Sequence, residues 1–154
     1  MKKKNILITG ANGLLGRYLV EILSQKHIVF AIVRNKKKLQ FKLNKNISVL
    51  EMDLNKINTK VLPSKIDTIY YLAQSNQYKK FPKGIDDMIF INVYVPNILA
   101  KWATKNKVKK FIYASSGGVY GGSTYPLKES SQVQADTNLG FYLNTKISGE
   151  MLLK

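Results

Sequence analysis

Apolar residues recur along the chain in short, nearly unbroken runs at Ile6–Thr9, Ile28–Val33, Ile47–Glu51, Ile66–Leu72 and Phe111–Ser115. Between some of them, polar and apolar positions take helical spacing, from about Leu14 to Lys26 and from about Asp87 to Lys107, and a last helix is predicted to begin near Phe141. Runs that are apolar at successive positions are buried on both faces, which points to a parallel sheet between helices. The β-α-β alternation therefore predicts an α/β fold with a doubly wound parallel sheet in strand order 3-2-1-4-5. The polar segment Gly121–Gly140, which carries Pro126, reads as a long loop. No repeat, low-complexity linker or internal boundary interrupts the pattern, and 154 residues with 45% hydrophobic content suit one core and one domain spanning 1–154.

The first apolar run leads into Thr9-Gly10-Ala11-Asn12-Gly13-Leu14-Leu15-Gly16, and that turn opens a helix. A pyrophosphate must approach backbone closely where a strand turns sharply into a helix, and side chains there would block it. Gly10 takes the tight turn, Gly13 leaves room for phosphates at the helix N-terminus, and Gly16 lets the helix pack against the strand. With Asn12 and Leu14 of the same turn, these glycines are the candidate dinucleotide cradle.

Charge adds less than its size suggests. The formal net charge is +16, yet Arg17 and Arg34 are the only arginines among 25 basic residues, so the rest are lysines. Their clusters at Lys2–Lys4, Lys36–Lys38, Lys79–Lys80 and Lys107–Lys110 fall near expected element ends, which reads as a solvated surface, and nucleic acid is not the expected partner. Cysteine is absent and His27 is the single histidine, so no metal site is expected. The basic start is followed by an apolar run broken at Thr9-Gly10, too early for a signal peptide, and no stretch is long enough to span a membrane, so a cytoplasmic location is expected.

Candidate chemistry lies at the other end of the chain. Ser115-Ser116-Gly117-Gly118-Val119-Tyr120-Gly121 follows the fifth apolar run, and Tyr142-Leu143-Asn144-Thr145-Lys146 opens the last helix. Tyr142 and Lys146, four apart, share a helix face, where an ammonium can lower the phenol's pKa from its reference near ~10. Ser116 can hold a substrate oxygen while Tyr142 exchanges a proton with it.

Together these motifs resemble the N-terminal half of the extended short-chain dehydrogenase/reductase family, the NAD(P)-dependent epimerases, dehydratases and reductases acting largely on nucleotide sugars. The resemblance runs from Lys4 to Lys154: Thr9–Gly16 resembles TGxxGxxG, Ser115–Gly121 resembles SSxxVYG, and Tyr142 with Lys146 resembles the YxxxK pair. It implies a Rossmann domain in which Ser116 is the catalytic hydroxyl, Tyr142 the acid/base, and Lys146 the group that holds the nicotinamide ribose and tunes the tyrosine. It further implies that Asp53, beside Leu54, receives the adenine amino group, that Leu72-Ala73-Gln74 lines the cofactor as the LAA turn does, and that Asn92 lies near the active site.

Two departures from the family pattern matter. Arg34 stands where NAD-preferring members carry an acid after the second strand, and its charge-assisted pairing with a 2′-phosphate points to NADP rather than NAD. Ser116-Gly117-Gly118 lacks the Asp-Glu pair that sugar 4,6-dehydratases place after the catalytic hydroxyl, which points to epimerisation or carbonyl reduction of a nucleotide sugar or small carbonyl compound. The family continues into a C-terminal substrate domain, so the chain is expected to be either a fragment or a short protein that borrows a partner, with a homodimer through the Asp87–Lys107 and Tyr142–Lys154 helices as one arrangement. By itself, this half is expected to be inactive. A nonenzymatic dinucleotide-binding module is the alternative reading.

Overall fold

The computed structural model describes residues 2–133 and 139–154, so the expected loop over Gly121–Gly140 lies partly outside the described residues. β1 (Asn5–Thr9), α1 (Leu14–Ser24), β2 (Ile28–Val33), β3 (Ile47–Glu51) and β4 (Thr68–Tyr71) are followed by α2 (Ile85–Ile89) and α3 (Val95–Lys105). β5 (Lys110–Tyr113) and α4 (Gly140–Leu153) complete the order. The five strands are all parallel and lie in the order β3-β2-β1-β4-β5, as the apolar pattern predicts.

Each face of the sheet has its own core. Ile6 and Ile8 of β1 pack on the side of Val20 from α1, while Leu7 between them joins Val95 and Leu99 of α3 on the other side. Between β2 and β3 the crossover contains only a 3-10 turn, Lys36–Lys38, in place of a helix. Asn12 fastens it, donating through Nδ2 to the Lys38 carbonyl at 3.0 Å and accepting from the Gln40 N–H at 3.1 Å, and Phe41 buries itself in the α1 side of the core.

β4 ends before Leu72 because the N–H groups of Leu72 and Ala73 turn to the buried Thr9 hydroxyl, at 3.1 and 3.2 Å. The expected helix over Asp87–Lys107 is continuous in its right-handed backbone but contains a π-helical turn, Phe90–Tyr94, between α2 and α3. Two phenols from the sheet meet that turn: Tyr71 donates to the Ile91 carbonyl and Tyr113 to the Asn92 carbonyl, the latter at 2.9 Å. Such widened turns accommodate one extra residue. α3 ends two residues earlier than expected, in a Schellman turn with Lys107 left-handed (φ 55°), the Val108 N–H bonded to the Ala103 carbonyl and the Lys107 N–H to that of Thr104.

α4 packs closely on this assembly. A Cβ at Gly149 would lie 2.6 Å from the Tyr113 hydroxyl and 2.7 Å from the Asn92 carbonyl oxygen, so only glycine permits the approach that brings Tyr142 and Lys146 to the C-terminal edge of the sheet. No described helix is long and apolar enough to cross a membrane.

Candidate active site

The glycine turn has the geometry its spacing predicts. Gly10 is left-handed (φ 65°), and a Cβ on it would lie 2.8 Å from the Ala73 nitrogen; a Cβ on Gly16 would overlap the Gly10 carbonyl oxygen. Gly13 caps α1 with no side-chain hydrogen bond, so no residue of the turn covers the positive end of that helix dipole. In front of the turn opens a cavity of about 730 Å³. Of the expected cofactor-binding residues, Gly10, Asn12, Gly13, Leu14, Gly16, Arg34, Asp53, Leu54, Leu72 and Ala73 line it. Asp53 also caps the short turn that follows it, accepting from the Asn55 N–H at 3.0 Å. A glycine cradle, a helix N-terminus without a side-chain cap and a cavity lined by Arg34 and Asp53 fit the pyrophosphate and adenosine of a dinucleotide.

Ser116, Tyr142 and Lys146 do not line this cavity themselves, but Tyr142 and Lys146 adjoin it through residues that do. Tyr142 donates its hydroxyl to Gln74 Oε1 at 2.7 Å, and Gln74 is a lining residue. Lys146, 1% exposed, donates to the carbonyl of Ala114, also a lining residue, at 2.6 Å, and its ammonium stands 4.6 Å from the centre of the Tyr113 ring. Ser116 accepts from the Gly118 N–H at 3.2 Å and caps a 3-10 turn, Gly117–Tyr120, that rests on Leu143 of α4. The neighbouring Ser115 hydroxyl is buried without a hydrogen-bond partner among the described residues.

The electrostatics depart from expectation. Burial, and secondarily Tyr78, push the Tyr142 phenol up rather than down. Lys146 is not among the causes, because its ammonium is turned inward to Ala114. Burial lowers Lys146 itself to about 8, with Glu150 opposing the shift. Tyr78 meets the Tyr142 ring at 5.4 Å and Phe81 meets Phe141 at 5.7 Å, which lays the segment after β4 over the start of α4.

Asn92, expected near the active site and among the cofactor's contacts, does not itself line the cavity. It is fully buried, accepts from the Ser75 N–H at 3.1 Å and donates to Thr145 Oγ1 at 3.0 Å, joining the β4 exit to α4. Ser75 in turn donates to Asp87, which also accepts from Asn55 Nδ2 at 3.0 Å. Sequence reasoning missed Thr9, Ser75 and Asp87 as organisers of the site, and the pairing of Gln74 with Tyr142. One signal was available: Gln74 stands where the resembling turn has a second alanine.

The match of residues 6–154 decides the affiliation. The chain belongs to the NAD dependent epimerase/dehydratase family. Among this family's members, human dTDP-D-glucose 4,6-dehydratase is 26% identical over 98% of the chain and 46% of its own length. The UDP-glucuronic acid 4-epimerase of Bacillus cereus, solved with NAD, superposes with a TM-score of 0.81 at 26% identity, covering 96% of this chain and 50% of that one. MoeE5, solved with UDP-glucose and NAD, gives 0.78 at 27% identity, covering 97% and 48%. The chain thus spans about half the length of the epimerase/dehydratase relatives it matches.

These comparisons overturn the expectation of NADP, since both structures hold NAD. Arg34 is exposed, and its guanidinium can also donate to ribose hydroxyls, so one such arginine does not by itself require a 2′-phosphate. Asp53 lines the same cavity, a carboxylate that disfavours a further phosphate beside it.

Proposed function

We propose that this chain is the cofactor-binding and proton-transferring part of an NAD-dependent enzyme that epimerises or reduces a nucleotide sugar. The observation that carries the reading is the Tyr142–Gln74 contact, a phenolic proton donor hydrogen-bonded to a wall of the dinucleotide cavity. Gly10, Gly13 and Gly16 with the start of α1 would hold the pyrophosphate, Arg34 and Asp53 the adenosine, and Leu72 and Ala73 the path toward the nicotinamide. When bound, the nicotinamide supplies or accepts the hydride.

With its pKa raised, Tyr142 is protonated at neutral pH, the form that gives a proton to a carbonyl oxygen. Ser116 holds the same oxygen. For the reverse step the phenol must leave Gln74 and meet a positive charge, and Lys146, at about 8, still carries one at pH 7. Ser116 is followed by Gly117 and Gly118 in place of the Asp-Glu pair that would expel water from a sugar, which favours epimerisation or reduction over dehydration. The names of related proteins, a dTDP-glucose dehydratase and a UDP-glucuronic acid epimerase among them, support a nucleotide sugar as the substrate class.

A second copy of the chain is the proposed cover for the outer helices. Tyr94 in the π-helical turn and Ile98 of α3 are 58% and 37% exposed, and Met151 of the adjacent α4 is 68% exposed. Light scattering on the wild type and on Tyr94→Glu should report a dimer and a monomer; a wild-type monomer removes this part of the proposal.

The enzyme reading is tested by incubating the protein at its natural length with NAD and UDP- or dTDP-hexoses, following sugar stereochemistry and oxidation state by NMR. Turnover should fall by about 10²–10⁴ in Tyr142→Phe, with NAD affinity nearly unchanged. NAD binding without turnover would make the protein a binding module, and no NAD binding would defeat both readings.

A further inference from the structure

At the end of the sheet opposite the dinucleotide cavity, where β1, β4 and β5 begin, lies a second cavity of about 200 Å³. We propose that it is a binding site for a compact phosphoanhydride of pyrophosphate size. Five of its seven lining residues are lysines, Lys2, Lys3, Lys4, Lys109 and Lys110, whereas lysine makes up fewer than one residue in six of the chain. In the sequence they form two clusters, each of which reads as a solvated element end. The fold makes them one constellation.

Asp67 builds it. Its N–H donates to the Asn5 carbonyl at 2.8 Å and its carboxylate accepts from the Asn5 N–H at 2.9 Å, fixing the N-terminal segment. Its carbonyl accepts from the N–H groups of Lys109 and Lys110 at 3.1 and 3.3 Å, fixing the other segment beside it. The one carboxylate in the lining is thus directed at backbone, and among the described residues the one ammonium of the five with a side-chain hydrogen-bond partner is that of Lys3, bonded to Asn46 Oδ1 at 2.8 Å. Like charges gathered around a concavity repel one another, and a multivalent anion relieves that repulsion at several points at once.

The lining also selects the class of ligand. It contains no apolar side chain to enter a lipid surface and no aromatic ring to stack on a base. Lysines act as separate point charges that suit phosphate oxygens. The volume corresponds to roughly six or seven waters at ~30 Å³ each, room for a small polyanion but not for a duplex.

The test is calorimetric titration of inorganic pyrophosphate at about 0.1 M ionic strength, with the dinucleotide cavity first saturated by NAD. Saturable one-site binding is expected, weakened at least tenfold in Lys4→Gln/Lys110→Gln and less than twofold in Lys26→Gln/Lys60→Gln, which removes the same charge elsewhere. All four side chains are exposed, so neither variant endangers the fold. Equal weakening in the two variants, no binding at millimolar pyrophosphate, or binding seen only before NAD is added would overturn the assignment. So would duplex DNA or anionic vesicles that bind through these lysines more tightly than pyrophosphate.

Discussion

Tyr142 gives its phenolic hydrogen to Gln74, 68 residues earlier in the chain, at 2.7 Å. An acceptor in that position stabilises the neutral phenol, adding to the burial that already raises its pKa. Gln74→Ala should therefore move the Tyr142 titration downward. The measurement is the ultraviolet tyrosinate difference between Gln74→Ala and Gln74→Ala/Tyr142→Phe, set against the same difference with Gln74 intact. An unchanged titration would mean that burial and Tyr78 alone set the phenol.

Gly16 is expected to tolerate no side chain. A methyl group there would overlap the Gly10 carbonyl oxygen, a backbone atom that cannot swing aside, so Gly16→Ala should destabilise by about 1–3 kcal/mol and weaken NAD at least tenfold. Gly122→Ala serves as the neutral control, because a methyl group there would meet nothing within 4 Å. Denaturant titration and calorimetry on both variants decide it.

Asn92→Ala should destabilise by about 2–4 kcal/mol, because it strips the acceptor from a buried Ser75 N–H and the donor from Thr145. Since Asn92 stands outside the cavity lining, the loss should appear in the urea midpoint rather than as an isolated fall in NAD affinity. A variant of wild-type stability with selectively lost NAD binding would return Asn92 to the cofactor.

Lys146 predicts an unusual pH dependence. Burial lowers its folded pKa from 10.5 to about 8, so between those values the unfolded chain binds more protons than the folded one and stability rises with pH. The gain from pH 7 to pH 9.5 is about 2 kcal/mol. Tyr71, Tyr113 and Tyr142 are shifted upward, so above about pH 10 the folded state holds protons that the unfolded state releases, and stability falls again. Urea midpoints across this range should pass through a maximum, and Lys146→Met should flatten the rising limb.

Much of the architecture is legible in the order of residues. Five apolar runs became five parallel strands in the expected order, since residues buried on both faces must be apolar at every position. The glycine turn was equally readable, because its spacing is dictated by backbone contact rather than by partners elsewhere. Hidden features depend on distant partners. Gln74 meets Tyr142, Asn92 meets Thr145, and Lys146 turns to Ala114, none of which local periodicity encodes. The cofactor choice failed for a related reason, resting on Arg34 without the Asp53 carboxylate that lines the same cavity.

The π-helical turn bears on how the molecule can move. Packed helices ordinarily slide past a sheet in small shear steps, exchanging one set of apolar contacts for another. Here Tyr71 and Tyr113 key the helix to β4 and β5 by hydroxyl bonds to two consecutive carbonyls, and a slide of one residue would break both, the first of them fully buried. The helix and sheet must therefore travel as a single rigid plate. The segment after β4 is held differently, over α4 by the Tyr78–Tyr142 and Phe81–Phe141 ring contacts rather than by hydroxyl bonds to the helix backbone.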